Sequence, residues 1–171
     1  MYKRLLVPLD GSAQSEKVLP WVSMLAEINE AEVILLRVAE YPYSLYSMCN
    51  EYPPTDPELA KTVLNKKRAI CREAKAYLER IASKIVTTGL KVTCEVCESP
   101  VVEAILAATD RLQIDLIVLA TCGQSGGTQW GMGAIADQVL HEAPVPVILI
   151  QPTPRSFMPN PPLQHRIPLS L

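Results

Sequence analysis

Residues 114–150 read IDLIVLA (114–120), TCGQSGGTQWGMG (121–133), AIADQVLHEA (134–143) and PVPVILI (144–150). An apolar run of strand length leads into a loop with five glycines: Gly123, Gly126, Gly127, Gly131 and Gly133. Ile135, Ala136, Val139, Leu140 and Ala143 then recur at helical spacing, and a second apolar run follows Pro144. The opening of such a helix leaves backbone N–H groups without intrahelical partners and carries partial positive charge, which suits an anion. No Ser, Thr, Asp or Asn stands at the cap; Gly133 and Ala134 are there instead, so no capping side chain competes for those donors. Glycine also lets a ligand approach the backbone closely. A flexible loop without a ligand has the same composition, and glycine content alone leaves both readings open.

Upstream, residues 91–98 alternate as a strand and residues 101–111 form a short helical pattern after Pro100. Cys94 and Cys97 lie three apart on that strand, so their side chains fall on opposite faces and the C-x-x-C cannot readily chelate a metal or close a redox disulfide. From Pro57 to Thr88 runs a long helical pattern with Leu59, Val63, Ile70, Ala74, Tyr77, Leu78, Ile81 and Ile85 on its inner side, stopped by Gly89. Its many charges, Lys66, Lys67, Arg68, Glu73 and Lys75 among them, read as a solvated face. Residues 41–57 show no period and hold Tyr41, Tyr43, Tyr46 and Tyr52. A connector of that length is either a mobile surface loop or a functional flap or subunit contact.

At the other end, residues 2–9 and 32–38 are strands, and the LLV run of the first does not alternate, as expected of a strand buried on both faces. Between them Ser12 or Ser15 can cap a helix with inner stripe Val18, Leu25, Ala26 and Ile28, beside Trp21 and Val22. Pro20 falls inside that pattern and requires a kink or a late start. Strand and helix thus alternate throughout, which implies an α/β fold: a five-stranded parallel sheet with helices on both faces. Ligands in such sheets bind beyond the carboxyl ends of the strands. Asp10, ending the first strand, and the glycine loop after the fourth would flank that crevice.

Composition narrows the function classes. A chain of 171 residues suggests one domain, and 49% hydrophobic residues supply a core. A net charge of −2 gives no overall basic surface for nucleic acid. No apolar run reaches the roughly 18 residues that span a bilayer. The N-terminal apolar run is broken by Pro8 and Asp10, too early for a signal peptide, so a cytoplasmic location is expected. Five irregularly spaced cysteines fit reduced thiols. No G-x-S-x-G elbow occurs and neither His141 nor His165 is placed as a base, so no catalytic residue and no metal ligand is assigned. Residues 152–171 hold six of the 15 prolines and form a tail that is either extended or docked on a neighbour.

LLVPLDGSAQSEKVLP near the start, LLRV in the second strand and LATCGQSGG…GAIADQVLHEAPVPVILI resemble the universal stress protein family over about residues 2–151. The resemblance implies a flavodoxin-like (Rossmann-like) strand order 3-2-1-4-5, a domain over residues 1–151 with the tail outside it, and a homodimer along the fifth strand (residues 146–151), with larger oligomers open. It implies a stress-response regulator that binds an adenine nucleotide (AMP, ATP or a cyclic nucleotide, with Mg accompanying ATP) and acts through a protein partner. The implied site comprises Pro8, Leu9, Asp10, Val38, Ala120, Gly123, Gly133, Ala134 and Ile135, with Asp10 accepting from the ribose or base and Pro8, Leu9 and Val38 walling the base. The family pattern G-x2-G-x9-G-(S/T) falls here on Ala120, Gly123, Gly133 and Ala134, so two of four positions depart from it. No Lys or Arg stands between Thr121 and Glu142. Charge-assisted hydrogen bonds contribute about 1.5–3 kcal/mol each, so a triphosphate is expected to bind about ten- to a hundredfold more weakly than with those partners present. The same departures also fit a nucleotide-independent dimeric interaction module.

Overall fold

A computed structural model describes residues 1–86, 89–98, 100–121 and 132–151 of the chain. The sheet has five parallel strands in the order β3-β2-β1-β4-β5: β1 Arg4–Pro8, β2 Glu32–Ala39, β3 Val92–Glu98, β4 Leu116–Ala120 and β5 Val147–Ile150. This is the flavodoxin-like order. The helices are α1 Leu19–Asn29, α2 Tyr43–Asn50, α3 Pro57–Val86, α4 Val101–Arg111 and α5 Ala134–Glu142. No helix among the described residues is long and apolar enough to cross a membrane.

The non-alternating strands are buried on both faces. Leu5 and Val7 join a core with α1 and α3, while Leu6 joins a second core with α4 and α5. All three have no exposed surface. Burying each such side chain contributes about 1.5–3 kcal/mol, so these three residues anchor both layers at once. On β3, Cys94 packs into the first core and Cys97 against the second, as alternation requires.

Three local expectations change. The open alternative at Pro20 resolves as a late start: residues Ser15–Val18 form a 3-10 turn and α1 begins at Leu19, with Pro20 in the first turn where its missing N–H costs nothing. Ser12 Oγ accepts the Ser15 N–H at 3.1 Å, so the serine serves the 3-10 turn and not α1. The inner stripe becomes Val18, Val22 and Ala26, four apart, and Ile28 swings out to 65% exposure. Residues 41–57 are not aperiodic throughout: Pro42 precedes α2, which packs on α3 and whose Leu45 is buried. One buried leucine in eight residues is too little period to read. In α3 the buried residues are Val63, Ala74, Leu78, Ile81 and Ile85, whereas Leu59 is 43% exposed because the first turns of a 30-residue helix project beyond the sheet. Gly89, at φ +83°, turns the chain toward β3.

Candidate functional site

β1 ends at Pro8, and the Leu9 N–H continues the ladder by donating to the Leu36 carbonyl at 2.8 Å. The chain then turns sharply. Asp10 Oδ1 accepts the Ser12 N–H at 2.9 Å, and the Ser15 hydroxyl, itself buried, donates to the Ser12 carbonyl at 2.9 Å. These bonds hold the Asp10 carboxylate at the carboxyl end of the central strand. Gly11 sits at φ +84°, and a Cβ there would lie 2.4 Å from Nη1 of Arg37. Backbone conformation and space therefore both call for glycine at this position. Arg37 lies beneath the turn with its guanidinium 5.0 Å from the Tyr77 ring centroid. Its Nη1 is buried without a hydrogen-bond partner, so the ring face is its main electrostatic compensation. Burial pushes the Tyr77 hydroxyl up to about 12, and the Glu16 carboxylate acts in the same direction.

Beside this turn, on the α4–α5 side of the sheet, opens a cavity of about 500 Å³. Leu36, Ile105, Leu119 and Ala136 make its apolar floor, and Pro8, Leu9, Asp10, Val38, Ala120, Gly133 and Ile135 all line it. Seven of the nine residues expected from the sequence thus meet around one space. Ala134 does not: it is exposed and contributes only its place in the first turn of α5. Gly123 lies outside the described residues. Eight lining residues went unread: the four of the floor, and Glu40, Thr121, Ser15 and Val101. Glu40 stands two positions after Val38 on the same side of an extended chain, a signal the alternation could have supplied.

At α5, Gly133 is the N-cap in an extended conformation and no side chain caps the helix, as its sequence indicates. One expected donor is nevertheless taken. The Gly133 N–H donates to the Thr121 carbonyl at 2.7 Å, and the Thr121 N–H donates to the Ile150 carbonyl at 3.0 Å. That pair of bonds ties the two ends of the glycine loop together and to β5. The amides of Ala134, Ile135 and Ala136 then form the uncapped turn at the cavity mouth. Among the described residues the lining carries two carboxylates, Asp10 and Glu40, and no Lys, Arg or His. No group of three or more His, Cys, Asp or Glu fit to hold a metal occurs among the described residues.

Behind the β2 end, Tyr41 follows Glu40 and reaches α3. Its hydroxyl lies 3.2 Å from Cys71 Sγ, the Cys71 thiol donates to Glu98 Oε1 at 3.3 Å, and Lys67 pairs with Glu98. Burial raises the Tyr41 hydroxyl and the Cys71 thiol above their ordinary ranges. Burial opposes ionisation of Glu98 too, but the bonds from Lys67 and Cys71 outweigh it and hold the carboxylate below its usual value. This chain fastens the rim carrying Glu40 to α3 and β3.

The family model described as the universal stress protein family matches residues 1–151. Among solved structures, the universal stress protein UspA from Lactobacillus plantarum superposes with a TM-score of 0.68 at 20% identity, covering 87% of this chain and 97% of its own. A universal stress protein solved in complex with cAMP gives 0.56 at 17% identity, covering 89% and 98% of the two chains. A family protein from Arabidopsis thaliana solved with AMP bound gives 0.55 at 15%, covering 88% and 92%. At such identities these likenesses establish the fold.

Proposed function

The chain belongs to the universal stress protein family, and on that premise we propose that it is a homo-oligomeric stress-response regulator that binds an adenine nucleotide, AMP or a cyclic nucleotide in preference to ATP. The observation that carries this reading is the cavity joining the Asp10 turn, Val38 and the uncapped start of α5. Its volume of about 500 Å³ lies within the ordinary range for small-molecule sites. Relatives of the same fold were solved holding cAMP and AMP. In this chain the base would lie against Leu9 and Val38, with Asp10 accepting from the sugar or base. The phosphate would meet the amides of Ala134 to Ala136.

Phosphate count is where this member is expected to differ. Among the described residues the cavity lining presents Asp10 and Glu40 and no cation, so each added phosphate charge meets repulsion without an offsetting lysine or arginine. Mg accompanying ATP would depend on the phosphates and on the Asp10 or Glu40 carboxylate, since magnesium is held through one or two carboxylates plus substrate oxygens. The protein would act without catalysis of its own: among the described residues the lining holds no histidine, cysteine or lysine as base or nucleophile. We place the dimer contact along β5, whose four apolar residues, Val147 to Ile150, remain only partly buried at the sheet edge. An apolar edge of that kind favours pairing with another strand. Residues 152–171, read from the sequence as a tail, lie outside the described residues.

A nucleotide-independent dimeric module is the competing reading, favoured by Ala120, Ala134 and the occupied Gly133 amide. Mass spectrometry of the purified, denatured protein distinguishes the two, since a co-purifying adenine nucleotide sinks the second. Calorimetry with AMP, cAMP and ATP then tests the preference: ATP binding more tightly than AMP would overturn it.

A further inference from the structure

The outer face of α3 carries a charge pattern that nucleotide binding leaves unused. From Lys61 to Lys75 the chain holds six lysines and arginines against one acid, Glu73. The stretch is therefore +5 in a chain of −2, leaving −7 for everything else. Lys61, Asn65, Arg68, Arg72 and Lys75 follow one another at spacings of 4, 3, 4 and 3, so they form a single stripe along the helix, and all five are exposed. The opposite side, Val63, Ala74, Leu78 and Ile81, is the one buried in the fold.

Within the stretch Lys67 pairs with Glu98 and Lys75 with Glu79, and beyond it Lys84 pairs with Glu16 and Lys91 with Glu32. Lys61, Arg68 and Arg72 have no carboxylate partner among the described residues. Arg68 and Arg72, one turn apart, repel each other along the helix, a local cost that an external anion would remove. Beside the stripe runs a groove of about 630 Å³, with Leu64, Arg68 and Arg72 on one wall and Glu98 on the other. Leu64 is 45% exposed there, an apolar side chain set among cations.

We propose that this face docks an acidic, amphipathic helical segment of a partner protein, its carboxylates on Lys61, Arg68 and Arg72 and an apolar side chain in the groove against Leu64. A stripe at alternating spacings of three and four is the periodicity with which one helix presents itself to another. Charge complementarity selects an acidic partner and steers its approach. A nucleic acid backbone has no use for the leucine between the cations. A lipid surface would need a broad apolar face, and that of α3 is already buried in the fold. The surface lies on the α3 layer, whereas the nucleotide cavity opens on the α4–α5 side, so the inference stands apart from the nucleotide reading.

The experiment uses the full chain and a fluorescently labelled three-heptad peptide with Glu and Leu on its helical face, read by anisotropy. Phosphatidylglycerol vesicles and a short DNA duplex serve as competitors. The wild type should bind the peptide, more weakly as salt rises. R68E/R72E should weaken it roughly tenfold or more while leaving the circular dichroism melt unchanged. A peptide with Lys in place of Glu should regain affinity for R68E/R72E. Failure of the wild type to bind overturns the proposal, as does affinity unchanged in R68E/R72E. So does capture of vesicles or duplex as tightly as peptide.

Discussion

Replacing Gly11 with alanine places two separable demands on the first-strand turn. At φ +84° an alanine occupies the left-handed region, which costs about 1–2 kcal/mol for a residue with a Cβ. The new methyl would also stand 2.4 Å from Arg37 Nη1 and must displace it. That atom ends a flexible side chain, so displacement is cheap in sterics, but it moves the guanidinium off the Tyr77 ring, 5.0 Å away. Losing that contact costs about 0.5–1 kcal/mol. The backbone effect therefore dominates, and the sum is about 1.5–3 kcal/mol. For a chain of this length, that corresponds to a fall in Tm of about 3–12 °C. Urea titration of wild type, Gly11→Ala, Arg37→Ala and the double variant separates the parts. If the methyl acts partly through Arg37, the double variant should be less destabilised than the two single effects added, by about 0.5–1 kcal/mol. Because Asp10 precedes Gly11, AMP affinity should fall in the same variant. A Gly11→Ala protein melting within a degree of wild type, with effects strictly additive, would refute the account of this turn.

Three further outcomes are expected. Leu6→Ala removes a fully buried side chain of the central strand facing α4 and α5, and urea melts should show a loss of about 2–5 kcal/mol. Glu98→Gln should destabilise at neutral pH by no more than about 1 kcal/mol, because the Lys67–Glu98 pair is partly exposed and screened. Since the Glu98 carboxyl is held below its ordinary value of 4.5, its contribution is present above the unfolded value. Wild type and variant should therefore converge as pH falls through that depressed pKa; a gap that widens in acid contradicts the assignment. Glu40→Gln should improve ATP relative to AMP, since two extra charges each face about 0.5 kcal/mol of repulsion across ~8 Å of water-like dielectric. The calorimetric ratio should then shift about fivefold at low salt, and an unchanged ratio would remove Glu40 from phosphate discrimination.

Much of the site was legible because its signals are local. LLV in β1 and LIVL in β4 do not alternate, so both strands had to be covered on two faces. Asp10 follows the first of them and the glycine loop the second, and parallel strands bring their carboxyl ends to one side of the sheet. The face of each cysteine in the C-x-x-C follows from strand geometry alone. The absence of a cap before α5 could be read from the residue types at Gly133 and Ala134. These features depend on neighbours in the chain, and the period of side-chain direction carries them.

Other decisions needed partners distant in sequence. Whether Pro20 kinks a helix or starts one depended on how residues 15–18 settle onto β4, and that choice turned Ile28 to solvent. Leu59 obeys the helical period yet stays exposed, because the sheet ends before the helix does. The Gly133 amide looked available until the loop closed on Thr121, twelve residues earlier. Arg37 and Gly11 exclude each other's bulk only because β2 lies beside β1, and the same pairing sets Glu40 opposite the uncapped turn of α5. Periodicity states which way a side chain points, whereas strand order and register determine what it meets.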